Sequence, residues 1–142
     1  MRFDLPEDKV FVHTSRFPVR WGDMDAMGHV NNTVYFRYLE IARLEWLAST
    51  GLQVEPHGIG PVIVNAFCNF HLQLAFPAEV VARMYVRNPG RSSIETYTTL
   101  EKADEPGVIY ASGGALTVWV DQRVRKSVPL PDELRGLLTA AT

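Results

Sequence analysis

The chain has 142 residues, of which 46% are hydrophobic and 21% charged, proportions that exclude a disordered or low-complexity chain. Lys and Arg number 14 against 16 Asp and Glu, a formal charge of −2, which argues against a general nucleic-acid binder but leaves room for a local basic site. The single cysteine, Cys68, excludes an intramolecular disulfide and a zinc site built from several thiolates. Met1 to Val10 carries Arg2, Asp4, Glu7, Asp8 and Lys9 without an apolar run, so no signal peptide is expected. No stretch approaches the roughly 18 apolar residues of a membrane span. One cytoplasmic domain over residues 1–142 is the expectation.

His13 to Trp21 alternates Phe17, Val19 and Trp21 against Arg16, Pro18 and Arg20, the pattern of a strand. Gly22 to Asn32 is a loop. A helix is predicted over Asn32 to Thr50, capped by Asn31 or Asn32 and ended by Gly51. Its polar face is narrow, with Thr33, Arg37 and Glu40 in line and Arg43 beside them. Apolar residues fill most of the remaining circumference, which predicts a largely buried helix with a sheet curved around it. Gln53 to Pro61, with two glycines and two prolines, reads as a loop. Four strands follow: Val62–Leu74, Glu79–Arg87, Arg91–Leu100 and Val108–Asp121. Asn88-Pro89-Gly90 and Asp104-Glu105-Pro106-Gly107 supply turns too short for parallel crossovers, so the sheet is expected to be antiparallel. A short helix is expected after Pro131. The order defines an α+β domain, one long helix packed on one sheet.

Few residues are placed for chemistry. There is no Gly-x-Ser-x-Gly elbow, and Ser112 has no neighbouring base in sequence. Cys68 sits among Phe67, Asn69 and Phe70 as a small core residue. His13, His29, His57 and His71 form no pair at metal-ligand spacing, so no metal site is expected. Asn65, Asn69 and His71 alternate on one face of their strand, toward substrate or toward water. Trp21 to Asn32 is different: it gathers Asp23, Asp25, His29, Asn31 and Asn32 ahead of the helix, where free N–H groups and the positive dipole end can bind an oxyanion. On composition alone these residues either do chemistry or only shape and cap the loop.

The run Asp23-x-Asp25-x-x-Gly28-His29-Val30-Asn31-Asn32-x-x-Tyr35-x-x-Tyr38-x-Glu40-x-Ala42-Arg43 resembles the 4-hydroxybenzoyl-CoA thioesterase family. Leu74-Ala75-Phe76-Pro77-Ala78-Glu79-Val80, Gly90-Arg91-Ser92-Ser93, and Val120-Asp121 ahead of Pro129-Leu130-Pro131 extend the likeness over most of the chain. The resemblance implies a hot-dog fold, in which a five-stranded antiparallel sheet wraps one long central helix. It implies hydrolysis of an acyl-CoA thioester, with Asp25 as nucleophile or general base and the backbone N–H of Asn32 polarising the carbonyl. His29, Tyr35, Arg91 and Ser93 are the substrate-binding candidates, Arg91 for the nucleotide phosphates. A homodimer or dimer of dimers with interfacial sites is implied. No cofactor is, because coenzyme A arrives within the substrate. Related enzymes use a glutamate on the helix; Glu40 is expected instead to pair with Arg37 or Arg43, and Glu45 lies too far from the helix start. The alternatives are a non-catalytic acyl-CoA or acyl-carrier-protein binding module, a thioesterase acting on acyl-carrier protein, and a dehydratase using Asp25 with His29.

Overall fold

The computed structural model describes residues 1–52 and 55–141; Gln53 and Val54 of the predicted loop lie outside the described residues. In chain order the elements are β1 (Val10–Pro18), a 3-10 turn (Trp21–Asp23), α1 (Asn32–Ser49), β2 (Ile59–Phe70), β3 (Glu79–Arg87), β4 (Ser93–Lys102), β5 (Ile109–Asp121), β6 (Lys126–Ser127) and α2 (Asp132–Ala141). The sheet order is β1-β3-β4-β5-β2, with β6 added to β5. Every pairing is antiparallel, as the short turns require. With α1 packed on one face, this is the hot-dog arrangement.

The sheet has six strands where five were expected. The extra strand is a two-residue return, in which Lys126 and Ser127 pair with Asp121 and Val120 after a turn that holds Arg125 at φ 55°. Ser93, the first residue of β4, lies opposite Val118, so β5 runs past it and exposes an edge that β6 fills. A pairing this short carries no alternation and leaves no signal in the sequence.

Three strand boundaries also move for local reasons. β1 ends at Pro18 because Asp23 Oδ2 accepts from Arg20 N at 2.9 Å and curls the next residues into the 3-10 turn. Trp21 is left 76% exposed instead of pointing inward. β2 begins at Ile59, inside the expected loop, because it is an edge strand and tolerates Pro61. It stops at Phe70 rather than Leu74, because His71 N and Leu72 N both donate to Tyr110 O and turn the chain off the ladder.

The helix starts where expected, and the cap is Asn31, whose Oδ1 accepts from Thr33 N at 2.9 Å. Its buried face is Tyr35, Tyr38, Leu39, Ala42, Trp46 and Leu47. Burial is less complete than its composition predicts: Phe36 and Leu44 stay 39% and 50% exposed, because the sheet covers one side of α1 only. Leu39 and Ala42 pack with Val80, Leu100 and Ala111, while Trp46 and Leu47 pack with Trp119, Leu134 and Leu138. Each fully buried aliphatic side chain contributes about 1.5–3 kcal/mol. The helix approaches closely enough that a Cβ at Gly113 would stand 2.7 Å from both Leu39 Cδ1 and Phe67 O. Among the described residues, no helix is long and apolar enough to cross a membrane.

Candidate active site

The loop ahead of α1 is a tight reversal. Met24 and Val30 bridge antiparallel, Asp25 N donates to His29 O at 2.7 Å, and Gly28 N donates to Asp25 O at 3.1 Å. Gly28 lies at φ 81°, the left-handed conformation that this kind of turn requires. The reversal fixes Asp25: its Oδ1 accepts from Met27 N at 2.9 Å and His29 N at 3.3 Å. Oδ2 has no partner among the described residues, and the side chain is exposed.

Asp23 does a different job. Its Oδ2 accepts from Tyr38 Oη at 2.6 Å as well as from Arg20 N, and its carbonyl accepts from Asn31 N at 2.9 Å. Burial, reinforced by the hydrogen bond to the Asp23 carboxylate, pushes the Tyr38 hydroxyl far above its ordinary value. Asp23 therefore ties the loop to the helix, and Asp25 stands free of that tie.

At the helix start, Asn31 satisfies Thr33 N through its side chain and Val34 N through its carbonyl. The N–H of Asn32 has no acceptor among the described residues, which makes it one of the orphan donors of a helix N-terminus. This N–H and Asp25 open on one cavity of about 730 Å³, whose walls include His29, Tyr35, Phe70 and His71. Tyr35 is buried, its Oη accepts from Leu74 N at 3.2 Å, and its ring meets Phe70 edge-on at 5.0 Å. Burial raises the Tyr35 hydroxyl, so it stays protonated near neutrality.

Asp25, His29, Asn32 and Tyr35 are thus brought together, and Arg91 and Ser93 are not. Glu79, at the other end of β3 from the Arg91 hairpin, lies beside the Asp25 loop: Pro18 pairs with Glu79, and Val19 N donates to Ala78 O. The strand between has 9 residues, which at about 3.3 Å per residue separates the hairpin from the loop by roughly 30 Å. At that far end Arg91 Nη1 donates to Ser92 Oγ, and its carbonyl accepts from Leu130 N and Arg135 Nη2.

Phe70 and His71 also line the cavity; the sequence had left His71 open between substrate and water. Alternation had put consecutive residues on opposite faces, and the end of β2 at Phe70 breaks that rule. The remaining chemical groups are held elsewhere. Glu40 pairs with Arg37 at 3.6 Å, Glu45 lies 3.8 Å from His13 Nε2, and burial pushes the Cys68 thiol up to about 12.

The profile of the thioesterase-like superfamily matches residues 19–138, and the chain belongs to that superfamily. Among solved structures, the PA2801 protein of Pseudomonas aeruginosa is 38% identical with a TM-score of 0.87, over 90% of this chain and 98% of that one. The BH1999 gentisyl-coenzyme A thioesterase is 28% identical with a TM-score of 0.76, over 87% and 99%. A protein of Aquifex aeolicus (strain VF5) named as an esterase is 35% identical over 69 residues; the match spans 46% of this chain and about half, 52%, of that relative.

Proposed function

We propose that the chain is an acyl-CoA thioesterase of the 4-hydroxybenzoyl-CoA thioesterase type, releasing a free acid and coenzyme A. The observation that carries this reading is the pairing, in one open cavity, of an unpartnered aspartate oxygen with an unpartnered helix-start N–H.

The thioester carbonyl oxygen accepts from the N–H of Asn32, where the helix dipole adds partial positive charge as the oxyanion develops. Asp25 acts on the carbonyl carbon by one of two routes. It attacks directly, giving a mixed anhydride that water then opens, or it takes a proton from the water that attacks. In both routes the C–S bond breaks and sulfur carries the electron pair away. A thiol with a pKa near about 8.5 leaves without a strong general acid. His29 and Tyr35 wall the acyl portion. Coenzyme A enters as part of the substrate, and no other cofactor is required.

The roles of Arg91 and Ser93 need a second copy of the chain. β2 is an edge strand, with Ile59, Ile63 and Val64 40%, 43% and 56% exposed. Antiparallel pairing of two copies along β2 brings the Ile59 end of one against the Phe70 end of the other. The Arg91 hairpin lies at the Ile59 end, because Trp119, which pairs with Pro61, donates its N–H to Ser92 O. The nucleotide phosphates then meet Arg91 and Ser93 of one copy while the thioester lies at Asp25 of the other. A homodimer is the minimal active unit, and a dimer of dimers is compatible with it.

The test follows thiol release from a panel of acyl-CoAs with a chromogenic thiol reagent, alongside the mass in solution by light scattering. The expected result is release from at least one acyl-CoA by a dimer or tetramer. Binding without release from acyl-CoA or acyl-carrier-protein thioesters would make the protein a binding module instead.

A further inference from the structure

His71, just beyond β2, is a wall of the Asp25 cavity that is tied through its side chain to β5. Its Nε2 lies 2.9 Å from Ser112 Oγ on β5. Ser112 is 7% exposed, and its hydroxyl oxygen also accepts from Asn69 Nδ2 at 3.3 Å. Asn69 faces Ser112 directly across the β2–β5 ladder. Asn69 is itself clamped by the N-terminal stretch: Phe3 N donates to its Oδ1 at 3.2 Å, and its Nδ2 donates to Phe3 O at 2.6 Å. The Phe3 ring packs on Phe67 at 5.3 Å. A second cavity of about 480 Å³ under this stretch is also lined by His71 and Ser112, so His71 borders both spaces.

Ser112 Oγ accepts a hydrogen from Asn69 Nδ2 and keeps its own hydrogen to give to His71 Nε2 in the Nδ1–H tautomer. In that tautomer the neutral ring carries its hydrogen on Nδ1, where a ligand oxygen can accept it. We propose that His71 contacts substrate in the Asp25 cavity, donating from Nδ1 to an oxygen of the bound thioester, and that Ser112 and Asn69 are its positioning residues. This rests on the thioesterase reading and adds a binding residue, with its support, to that site. Through Asn69 the support reaches Phe3, so the N-terminal stretch helps to set the geometry of a site outside its own cavity.

The test is a double-mutant cycle on the dissociation constant of a non-hydrolysable acyl-CoA thioether, measured by calorimetry on the full chain. His71→Ala is expected to weaken binding about tenfold, and Ser112→Ala about threefold. The double variant should bind no more weakly than His71→Ala alone, because Ser112 acts only through the imidazole. Asn69→Ala, which leaves the Ser112–His71 contact in place, should give a smaller loss that likewise disappears in the His71→Ala background. Thermal melts establish that each variant is folded. Multiplying losses, or no loss from His71→Ala, would overturn the proposal. Thioester cleavage is scored separately with the parent and Asp25→Asn. A parent that binds the thioether but cleaves no thioester sinks the hydrolytic reading and leaves the cycle to decide on His71. A parent that does not bind the thioether overturns the His71 proposal.

Discussion

Tyr38→Phe isolates the tie between the Asp23–Asp25 loop and the helix. It removes the hydroxyl that donates to Asp23 Oδ2 at 2.6 Å, while the ring keeps its packing against Phe17 at 5.1 Å and Tyr35 at 6.1 Å. Tyr38 is 3% exposed, so the loss is not one of packing or of a solvated contact. A hydrogen bond to a charged acceptor contributes about 1.5–3 kcal/mol. Asp23 is half-buried and keeps its bond from Arg20 N, which places the cost at the lower end, about 1.5–2 kcal/mol. For a domain of this size that lowers the thermal midpoint by roughly 5–8 °C. Circular dichroism melts at neutral pH read it directly. Asp23→Asn should cost a similar amount, and the double variant should cost less than the sum, with a coupling of about 1 kcal/mol or more. A Tyr38→Phe midpoint within about 1 °C of the parent would refute the reasoning, because the bond would then contribute nothing.

Gly113→Ala is expected to destabilise by about 1–3 kcal/mol, since its Cβ would stand 2.7 Å from Phe67 O, a backbone atom that cannot swing aside; an unchanged melt would contradict the close helix approach. Acid should loosen the N-terminal stretch at Arg87. The Arg87 guanidinium holds Asp8 below its ordinary 3.8. Burial works to raise Glu95, but hydrogen bonds from Tyr97, Asn88 and Arg87 prevail and hold it below its ordinary 4.5. Both folded values are depressed, so their stabilisation is complete above the ordinary values and is lost as pH falls through the lowered ones. The melting midpoint should fall more steeply below about pH 4.5 in the parent than in Arg87→Ala, and equal slopes would contradict this. Arg91→Ala should raise KM about 3- to 10-fold with kcat within about twofold and the melt unchanged; an unchanged KM would remove Arg91 from coenzyme A binding.

Much of this site was legible in the sequence because it is local. Asp25, Gly28, His29 and Asn32 lie within one reversal and the helix start that follows it, where turn and cap chemistry act at short range. The resemblance singled out Asp25, but the physical difference between the two aspartates was not legible in local sequence. It depends on Tyr38 reaching back from the helix to Asp23, a contact that needs the helix seated on the sheet. The same holds for His71, whose place follows from a strand ending one residue earlier, at a carbonyl of Tyr110 that only tertiary pairing supplies. The exposure of Phe36 and Leu44 also escaped the helical pattern, because composition around a helix does not say which sides a single sheet covers. The sixth strand was illegible for a different reason: two residues are too few to alternate.

The most direct measurement of the role of Asp25 is thiol release from an acyl-CoA by the parent, Asp25→Asn and Asp23→Asn, each checked for fold and oligomeric mass. Asp25→Asn should lose about 10²- to 10⁴-fold in kcat, the contribution of a positioned base, while Asp23→Asn keeps most of its turnover and melts earlier. Hydrolysis by Asp25→Asn at the parent rate would contradict the assignment.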